Sequence, residues 1–184
     1  MINIYEKCIT LQNTNITLRQ TKLEDAEELL KCYSDEKAVP FFNADNCNGD
    51  NFHYKTIERM EQAIDFWDSS YKNRWFVRWT IIYKETKEII GTIEMFNRCE
   101  KHEYTGVYGI HGILRIDLQS NYEVAEVIES ILSIASKEFG SLFAVEYIAT
   151  KALPEARERI KALKKMGYTC MDQFELKDYY GRKV

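Results

Sequence analysis

The stretch LRIDLQSNYEVAEVIESILSIA, residues 114–135, decides the fold of this chain. It continues a run, residues 107–116, that is rich in β-branched, aromatic and aliphatic side chains and therefore predicts a strand. Beyond it, apolar residues recur with the period of about 3.6 residues that is typical of an amphipathic helix, which we predict over residues 121–139. The apolar face of this helix consists of Val124, Val127, Ile128, Ile131, Leu132 and Ala135. A strand followed at once by a helix that packs on the sheet begins a β-α-β unit.

The junction between this strand and this helix predicts an anion-binding corner. Ser120 and Glu123 have the spacing of a capping box, in which both side chains cover free backbone amides of the first helical turn. The remaining free amides and the positive end of the helix dipole point in the same direction, toward a ligand. The sequence therefore predicts a ligand at this corner.

The length and composition indicate one globular domain over residues 1–184. The formal net charge of −4 gives no general electrostatic attraction to nucleic acid or to an acidic membrane. No apolar run approaches the roughly 20 residues of a membrane span, and no signal peptide is recognisable. The cysteines are odd in number and far apart, so we expect reduced thiols, a cytoplasmic protein and no metal site. They are Cys8, Cys32, Cys47, Cys99 and Cys170.

The rest of the chain alternates between strand and helix patterns in the order β-α-α-β-β-β-α-β-α-β. Residues 75–83 and 89–96 are strand-like runs separated by a short polar turn, so they predict an antiparallel hairpin. Trp67, Trp75 and Trp79 fall on periodic faces and are predicted core residues. Antiparallel strands followed by a β-α-β crossover predict a mixed α/β sheet that is covered on both faces.

Three phrases of the sequence carry a resemblance to a known family. They are ITLRQTKLEDAEELLKCYSD at residues 16–35, WTIIYKETKEIIGTIEM at 79–95 and RERIKALKKMGY at 157–168. Together with the order of elements they resemble the GNAT superfamily of N-acetyltransferases, closest to the branch that includes ribosomal-protein N-terminal acetyltransferases, over about residues 15–176. The resemblance implies the GNAT fold, in which the strand before the central helix splays from its neighbour and acetyl-CoA lies in the cleft.

The resemblance also implies which residues bind the cofactor. In the family the pyrophosphate of acetyl-CoA lies on a loop with the pattern Q/R-x-x-G-x-G/A at the helix N-terminus. The corresponding strand and loop positions are Leu114, Ile116, Gln119, Ser120, Asn121, Tyr122, Glu123, Val124 and Ala125. The loop departs from the pattern, because Tyr122 and Val124 stand at the two glycine positions. In the last helix, Ala156 stands where the family has an Asn that contacts the cofactor. Arg159 and Leu163 stand where it has Ser or Tyr proton donors.

Two residues on the strands that flank the cleft are candidate general bases, because an amine must lose a proton before it attacks a thioester. Glu94 is a charged residue inside an otherwise apolar strand, and His111 lies on the strand that leads into the corner. The alternative for Glu94 is a solvent-facing residue near an edge of the sheet. The alternative for His111 is a hydrogen-bonded histidine of the core or of the cleft wall.

An aromatic loop over residues 40–54 is the candidate acceptor site. Phe41 and Phe42 are predicted to bind the substrate, with Phe52 and Tyr54 farther along the same loop. The alternative is that these aromatic side chains pack in the core.

Two functions are open at this point, and we predict the first, an enzyme, because backbone amides can hold phosphates whatever side chains surround them. The first is transfer of an acetyl group from acetyl-CoA to a primary amine of a small molecule or a peptide N-terminus, which the family's architecture favours. The second is a catalytically impaired GNAT-like domain that binds a ligand or a protein partner without turnover, which the changed loop favours. Dimers are common among cytosolic domains, so a homodimer belongs to either hypothesis.

Overall fold

The computed structural model describes residues 3–45, 47–98, 111–172 and 177–184. The first part of the strand predicted over residues 107–116 lies outside these ranges. Its described part belongs to a strand that spans His111–Leu118.

Strands and helices are interleaved along the chain. The strands are β1 (Leu11–Gln12), β2 (Ile16–Gln20), β3 (Val77–Tyr83), β4 (Glu88–Arg98), β5 (His111–Leu118), β6 (Tyr147–Lys151), β7 (Thr169–Cys170) and β8 (Tyr179–Lys183). The helices are α1 (Ala26–Tyr33), α2 (Ile57–Lys72), α3 (Ala125–Ile134), the single turn α4 (Gly140–Leu142) and α5 (Arg157–Lys165). A π-helical segment, Ala135–Phe139, joins α3 to α4. Relative to the predicted order, the structure adds β1, α4 and β8.

Within the described ranges, the strands form one sheet in the order β1-β2-β3-β4-β5-β6-β8-β7. The antiparallel pairing of β3 with β4 confirms the predicted hairpin. β5 and β6 run parallel, and α3 lies in the connection between them. The predicted mixed α/β fold is therefore confirmed.

The two faces of the sheet bury different kinds of side chain. On one face, alternate apolar residues of β3, β4 and β5 share a large hydrophobic cluster with α3 and α5. Val127, Ile128 and Ile131 of the predicted helix face lie in this cluster. Val124 does not, because it precedes the first turn of α3 and is 38% exposed. On the other face, α1 and α2 build a second cluster rich in aromatic residues, and the strands direct polar side chains toward it.

β5 and β6 separate toward their carboxyl ends. Their pairing covers residues 111–114 opposite residues 147–150, whereas β5 stays paired with β4 as far as Leu118. The separation leaves a wedge between β5 and β6 where the chain turns from β5 into α3. This wedge corresponds to the splay that the sequence resemblance implies.

Candidate functional site

A cavity of about 310 Å³ opens on the polar face of the sheet. It lies between α2, the segment that precedes α2, and strands β3, β4 and β5. Its walls are mainly aromatic and consist of Phe52, Tyr54, Phe66, Trp67, Trp75, Phe76 and Phe96. Its charged lining residues are Asp50, Arg59, Arg78, Glu94 and Arg115. A cavity of this size and composition fits a small organic molecule.

Three charged side chains form a row across the floor of the cavity. Arg78, Glu94 and Arg115 stand opposite one another on β3, β4 and β5, so their side chains leave the same face of the sheet. Arg78 donates two hydrogen bonds to Glu94 Oε2, from Nε at 3.0 Å and from Nη2 at 2.5 Å. Arg115 Nη1 lies 3.4 Å from Glu94 Oε1. The two guanidinium groups therefore fix a carboxylate whose side chain is only 1% exposed.

A second buried network holds Arg78 in place. Arg78 Nη1 donates to the Tyr33 hydroxyl at 2.8 Å, to Thr92 Oγ1 at 2.9 Å and to Asp117 Oδ2 at 3.1 Å. Burial alone would lower the pKa of Arg78, but the charges of Glu94 and Asp117 outweigh it, so the pKa is raised and the guanidinium stays charged. Burial, and then the Asp117 charge, raises the pKa of Tyr33 well above its ordinary value. Tyr33 is therefore a neutral donor, and its hydroxyl donates to Asp117 Oδ2 at 2.9 Å.

Two buried polar atoms of the cavity floor, Glu94 Oε1 and Arg115 Nε, have no hydrogen-bond partner among the described residues. The rest of the Arg115 guanidinium is held, because Nη2 donates to the Asp45 carbonyl at 2.7 Å and Nη1 donates to Cys47 Sγ at 3.2 Å. An unsatisfied buried polar atom costs about 1–3 kcal/mol. The two residues that line the floor thus carry one unsatisfied acceptor and one unsatisfied donor on neighbouring side chains.

Of the two candidate bases, Glu94 lines the cavity and His111 does not. The interpretation of Glu94 as a solvent-facing residue is wrong, since it is buried and paired with Arg78. His111 is also buried, but it starts β5, four residues from Arg115 and thus about 13 Å away along the strand. Its ring contacts that of Tyr147, with 5.4 Å between the ring centroids.

The aromatic loop is divided between the core and the cavity. Phe42 is buried against Tyr33, with ring centroids 5.4 Å apart, and Phe41 is partly buried. Neither of these predicted substrate-binding residues lines the cavity, whereas Phe52 and Tyr54 of the same loop do. The prediction that Trp75 is a core residue is wrong. Its side chain lines the cavity but is 61% exposed.

The predicted anion-binding corner is occupied by the chain's own carboxylates. The Ser120 amide donates to Asp35 Oδ2 at 2.8 Å. The Ala125 amide, at the start of α3, donates to Glu158 Oε2 at 3.3 Å. Two amides that were predicted to face an anion thus already bind carboxylate oxygens, which are the chemical equivalent of phosphate oxygens at such a site.

The predicted capping box is wrong. Residues Ser120–Tyr122 form a turn of 3-10 helix, and Val124 is the N-cap of α3 without a side-chain hydrogen bond. Glu123 does not turn back to Ser120. It pairs instead with Arg159 of α5.

Arg159 reaches from α5 to the end of β5. Its Nε and Nη2 donate to the two carboxylate oxygens of Glu123 at 2.6 and 2.7 Å, and its Nη1 donates to the carbonyls of Ile116 at 2.9 Å and Phe41 at 3.3 Å. Burial alone would lower the pKa of Arg159, but the Glu123 charge outweighs it and the pKa is raised. The Arg159 side chain, 3% exposed, therefore fills the end of the wedge as a charged and fully hydrogen-bonded group.

The other predicted cofactor residues have structural contacts of their own. Leu114 lies in the core, and the Gln119 side chain donates to the Ile89 carbonyl at 2.9 Å. The Tyr122 hydroxyl donates to Glu88. The two whose side chains are exposed are Asn121 and Val124.

In this arrangement two carboxylates of the chain lie at the corner where the resemblance places the pyrophosphate of acetyl-CoA. Asp35 and Glu158 accept from two of its amides, and charges of like sign repel. The carbonyl of Ile116 is already bonded to Arg159. A phosphate that used the Ser120 and Ala125 amides would have to displace these two carboxylates.

Metal-binding and membrane-spanning features are both missing from the described ranges. There, no group of three or more His, Cys, Asp or Glu side chains is arranged to hold a metal ion. No helix within those ranges has the length and apolar character needed to cross a bilayer. The cysteines that the structure describes, Cys8, Cys32, Cys47 and Cys170, are free thiols.

Sequence reasoning missed most of the polar floor of the cavity. Arg78 lies in a predicted strand and Asp117 directly follows one, but neither was among the candidate site residues. The available signal was the register of the predicted hairpin, which brings Arg78 opposite Glu94. If β5 is then placed beside β4, Arg115 also comes to lie opposite Glu94. In the structure this row of alternating charges across three strands is largely buried.

Comparison with known proteins gives both a family and a relative. The family described as "Acetyltransferase (GNAT) domain" matches residues 15–169. A Bacillus subtilis (strain 168) protein described as "Uncharacterized N-acetyltransferase YoaA" is 28% identical over 92 residues, which are 50% of this chain and 48% of that protein. The chain thus aligns with about half the length of that relative.

Solved structures with the same fold include two complexes with coenzyme A or its disulfide. Mycobacterium smegmatis RimJ, in complex with CoA-disulfide, has a TM-score of 0.69 at 10% identity and covers 92% of this chain and 82% of its own. RimL, a ribosomal L7/L12 acetyltransferase in complex with coenzyme A, has a TM-score of 0.69 at 14% identity. The match covers 95% of this chain and 97% of the RimL chain. At these identities the likeness establishes the fold.

Proposed function

The chain belongs to the GNAT acetyltransferase family, and from that premise we propose that it is an acyltransferase whose acceptor is a primary amine bound in the aromatic cavity. Acetyl-CoA is the donor used by this family. The observation that carries the proposal is the carboxylate of Glu94, which is buried, fixed by Arg78 and unsatisfied at Oε1.

The chemistry at Glu94 follows from its two oxygens. Oε2 is committed to Arg78, so the orientation of the carboxylate is fixed, while Oε1 has no hydrogen-bond partner among the described residues and Glu94 lines the cavity. An amine bound there donates a hydrogen bond to Oε1, which orients its nitrogen. The same oxygen takes up the proton that the amine must lose before it becomes a nucleophile. Glu94 is therefore the proposed base, and His111 is not part of this site.

The dimensions of the cavity favour a small acceptor. A volume of about 310 Å³ is at the lower end of ligand pockets. It accommodates a small-molecule amine or the first residue of a peptide. The loop residues Phe52 and Tyr54 enclose it from one side and supply apolar contact.

A second function is favoured by the closed corner. If Arg159, Asp35 and Glu158 stay where they are, the domain binds an amine in the same cavity without turnover. The acceptor site is then a receptor site, and the family fold serves as its scaffold.

The two functions separate in one assay. Purified protein is incubated with acetyl-CoA and a panel of primary amines, and release of free thiol is measured. We expect turnover, and we expect Glu94→Gln to lower it about 10²-fold while acetyl-CoA affinity changes little. The control is Glu85→Gln, in the exposed turn after β3, which should behave as the parent. No thiol release with any amine, together with no calorimetric signal from acetyl-CoA, would establish the second function.

A further inference from the structure

We infer that the ligand of the cavity is an aromatic α-amino carbonyl compound, that is, an aromatic amino acid derivative with a free amino group. The inference rests on the proposed function only in that the cavity holds the acceptor amine. It specifies the two other parts of that acceptor, an aromatic ring and a carbonyl oxygen next to the amine.

The ring is inferred from the cavity walls. Trp75 and Phe66 are 61% and 54% exposed, although large apolar side chains gain free energy when they are covered. Phe66 is already in contact with Phe76, with ring centroids 6.2 Å apart. An aromatic ring in the cavity would cover this exposed surface and stack against it, and aromatic pairs contribute binding energy beyond the area that they bury.

The carbonyl is inferred from the two unsatisfied atoms of the floor. A simple amine satisfies Glu94 Oε1 but leaves Arg115 Nε without an acceptor. In an α-amino carbonyl compound the nitrogen and the oxygen are close neighbours, and Glu94 and Arg115 are neighbours too, with Arg115 Nη1 3.4 Å from Glu94 Oε1. One ligand of this kind satisfies both atoms at once.

The charges of the lining support this choice over a polyamine. Three lining residues are positive, Arg59, Arg78 and Arg115, and two are negative, Asp50 and Glu94. Arg59 and Asp50 pair with each other at 2.6 Å. A ligand with several positive charges is therefore repelled, whereas one ammonium group beside a carbonyl or carboxylate oxygen matches the floor.

The test varies the ligand and leaves the protein unchanged. It uses three phenyl compounds, two of which each lack one group of the third. Calorimetric titrations without acetyl-CoA compare L-phenylalaninamide, phenethylamine, which lacks the carbonyl, and 3-phenylpropanamide, which lacks the amine. We expect L-phenylalaninamide to bind at least about tenfold more tightly than either of the others, because each of them leaves one buried polar atom unsatisfied. Equal affinities for the three, or no saturable binding of L-phenylalaninamide, would overturn the inference.

A surface variant tests the aromatic wall. Trp75→Ala should weaken L-phenylalaninamide about fivefold or more. The matched control is Leu23→Ala, which removes another exposed apolar side chain outside the cavity lining and should leave binding unchanged. Unchanged binding by Trp75→Ala would remove the aromatic part of the inference.

The thiol assay separates this inference from the proposed function. Tight binding of L-phenylalaninamide without thiol release supports the inference and contradicts acyl transfer. Thiol release from amines that lack a ring, with no preference for L-phenylalaninamide, supports acyl transfer and contradicts the inference.

Discussion

The corner before α3 and the aromatic cavity begin at adjacent residues of β5 and have opposite properties. Ile116 gives its carbonyl to the corner, where Arg159 binds it. Arg115 extends into the cavity, where its Nε has no hydrogen-bond partner among the described residues. At the corner, charged side chains of the protein bind the backbone amides and carbonyls. At the cavity, one hydrogen-bond acceptor and one donor have no partner among the described residues.

The difference indicates which of the two regions has unsatisfied polar atoms that a ligand could bind. Hydrogen bonds satisfied within the protein stabilise the fold and leave nothing for a ligand. Unsatisfied buried atoms are rare because they reduce stability, so their presence in an aromatic cavity points to a ligand. Two amides of the corner are bonded to the chain's own carboxylates, whereas the cavity floor keeps two unsatisfied polar atoms.

The largest effect should come from Arg159→Met. This change leaves the Glu123 carboxylate, 8% exposed, without its partner, and removes the donor to the Ile116 carbonyl. Breaking one partner of a buried pair costs about 3–5 kcal/mol of unfolding free energy. Urea unfolding followed by circular dichroism measures the loss. The matched control is Arg157→Met, exposed on the same helix, which should stay within about 0.5 kcal/mol of the parent.

A double variant shows whether the loss comes from the stranded charge. Glu123→Gln combined with Arg159→Met removes both ions, so it should recover part of the stability that Arg159→Met loses. If Arg159→Met instead loses less than about 1 kcal/mol, the corner is loosely held. The contrast with the cavity would then disappear, and acetyl-CoA would meet little resistance there.

A smaller loss is expected in the cavity from Glu94→Gln. The amide keeps an oxygen for Arg78, and Asp117 still balances the guanidinium at 3.1 Å, so we expect a loss of about 2–3 kcal/mol. The same urea experiment measures it, with Glu61→Gln on the exposed side of α2 as the control. A loss as large as that of Arg159→Met would mean that Glu94 is chiefly a structural ion, contrary to the comparison.

The sequence predicted the scaffold better than either site. The apolar periodicity of β3, β4 and α3 reflects burial, which depends on local pattern, and the mixed α/β sheet followed from it. The ligand corner was predicted from Ser120 and Glu123, whose local spacing is that of a capping box. Arg159, 36 residues farther along, takes Glu123 away from this role.

The cavity escaped prediction for a related reason. Its floor consists of single residues from three strands, and only the register between the strands brings them together. Glu94 was recognised as unusual because it interrupts an apolar strand, but its partners could not be identified from β4 alone. Trp75 fits a periodic face and was predicted to be buried, although it lies on the rim of a cavity whose existence depends on the segment before α2.

The smallest effect, and the one that depends on pH, concerns Asp35 at the corner. Burial alone would raise the pKa of Asp35, but hydrogen bonds from Ser120 and from the Lys37 amide outweigh it and the pKa is lowered. Because the folded pKa lies below the unfolded value of about 3.9, the charge adds stability at neutral pH, and this contribution is lost as the pH falls through the folded pKa. The Ser120 amide donates to Oδ2 and the Lys37 amide to Oδ1, so Asp35→Asn removes the charge and one of the two acceptor oxygens, as protonation of Asp35 also does. After allowance for solvent screening, we expect it to lower the unfolding free energy by about 0.5 kcal/mol near pH 7 and by nothing at a pH well below 3.9. Urea unfolding at a series of pH values measures the difference from the parent, with Asp65→Asn on the exposed side of α2 as the control.

A difference that stays constant down to the lowest pH would show that the Asp35 carboxylate does not interact with the Ser120 amide as an anion. That amide would then be available to a phosphate, and the corner would regain the role that the sequence first predicted for it.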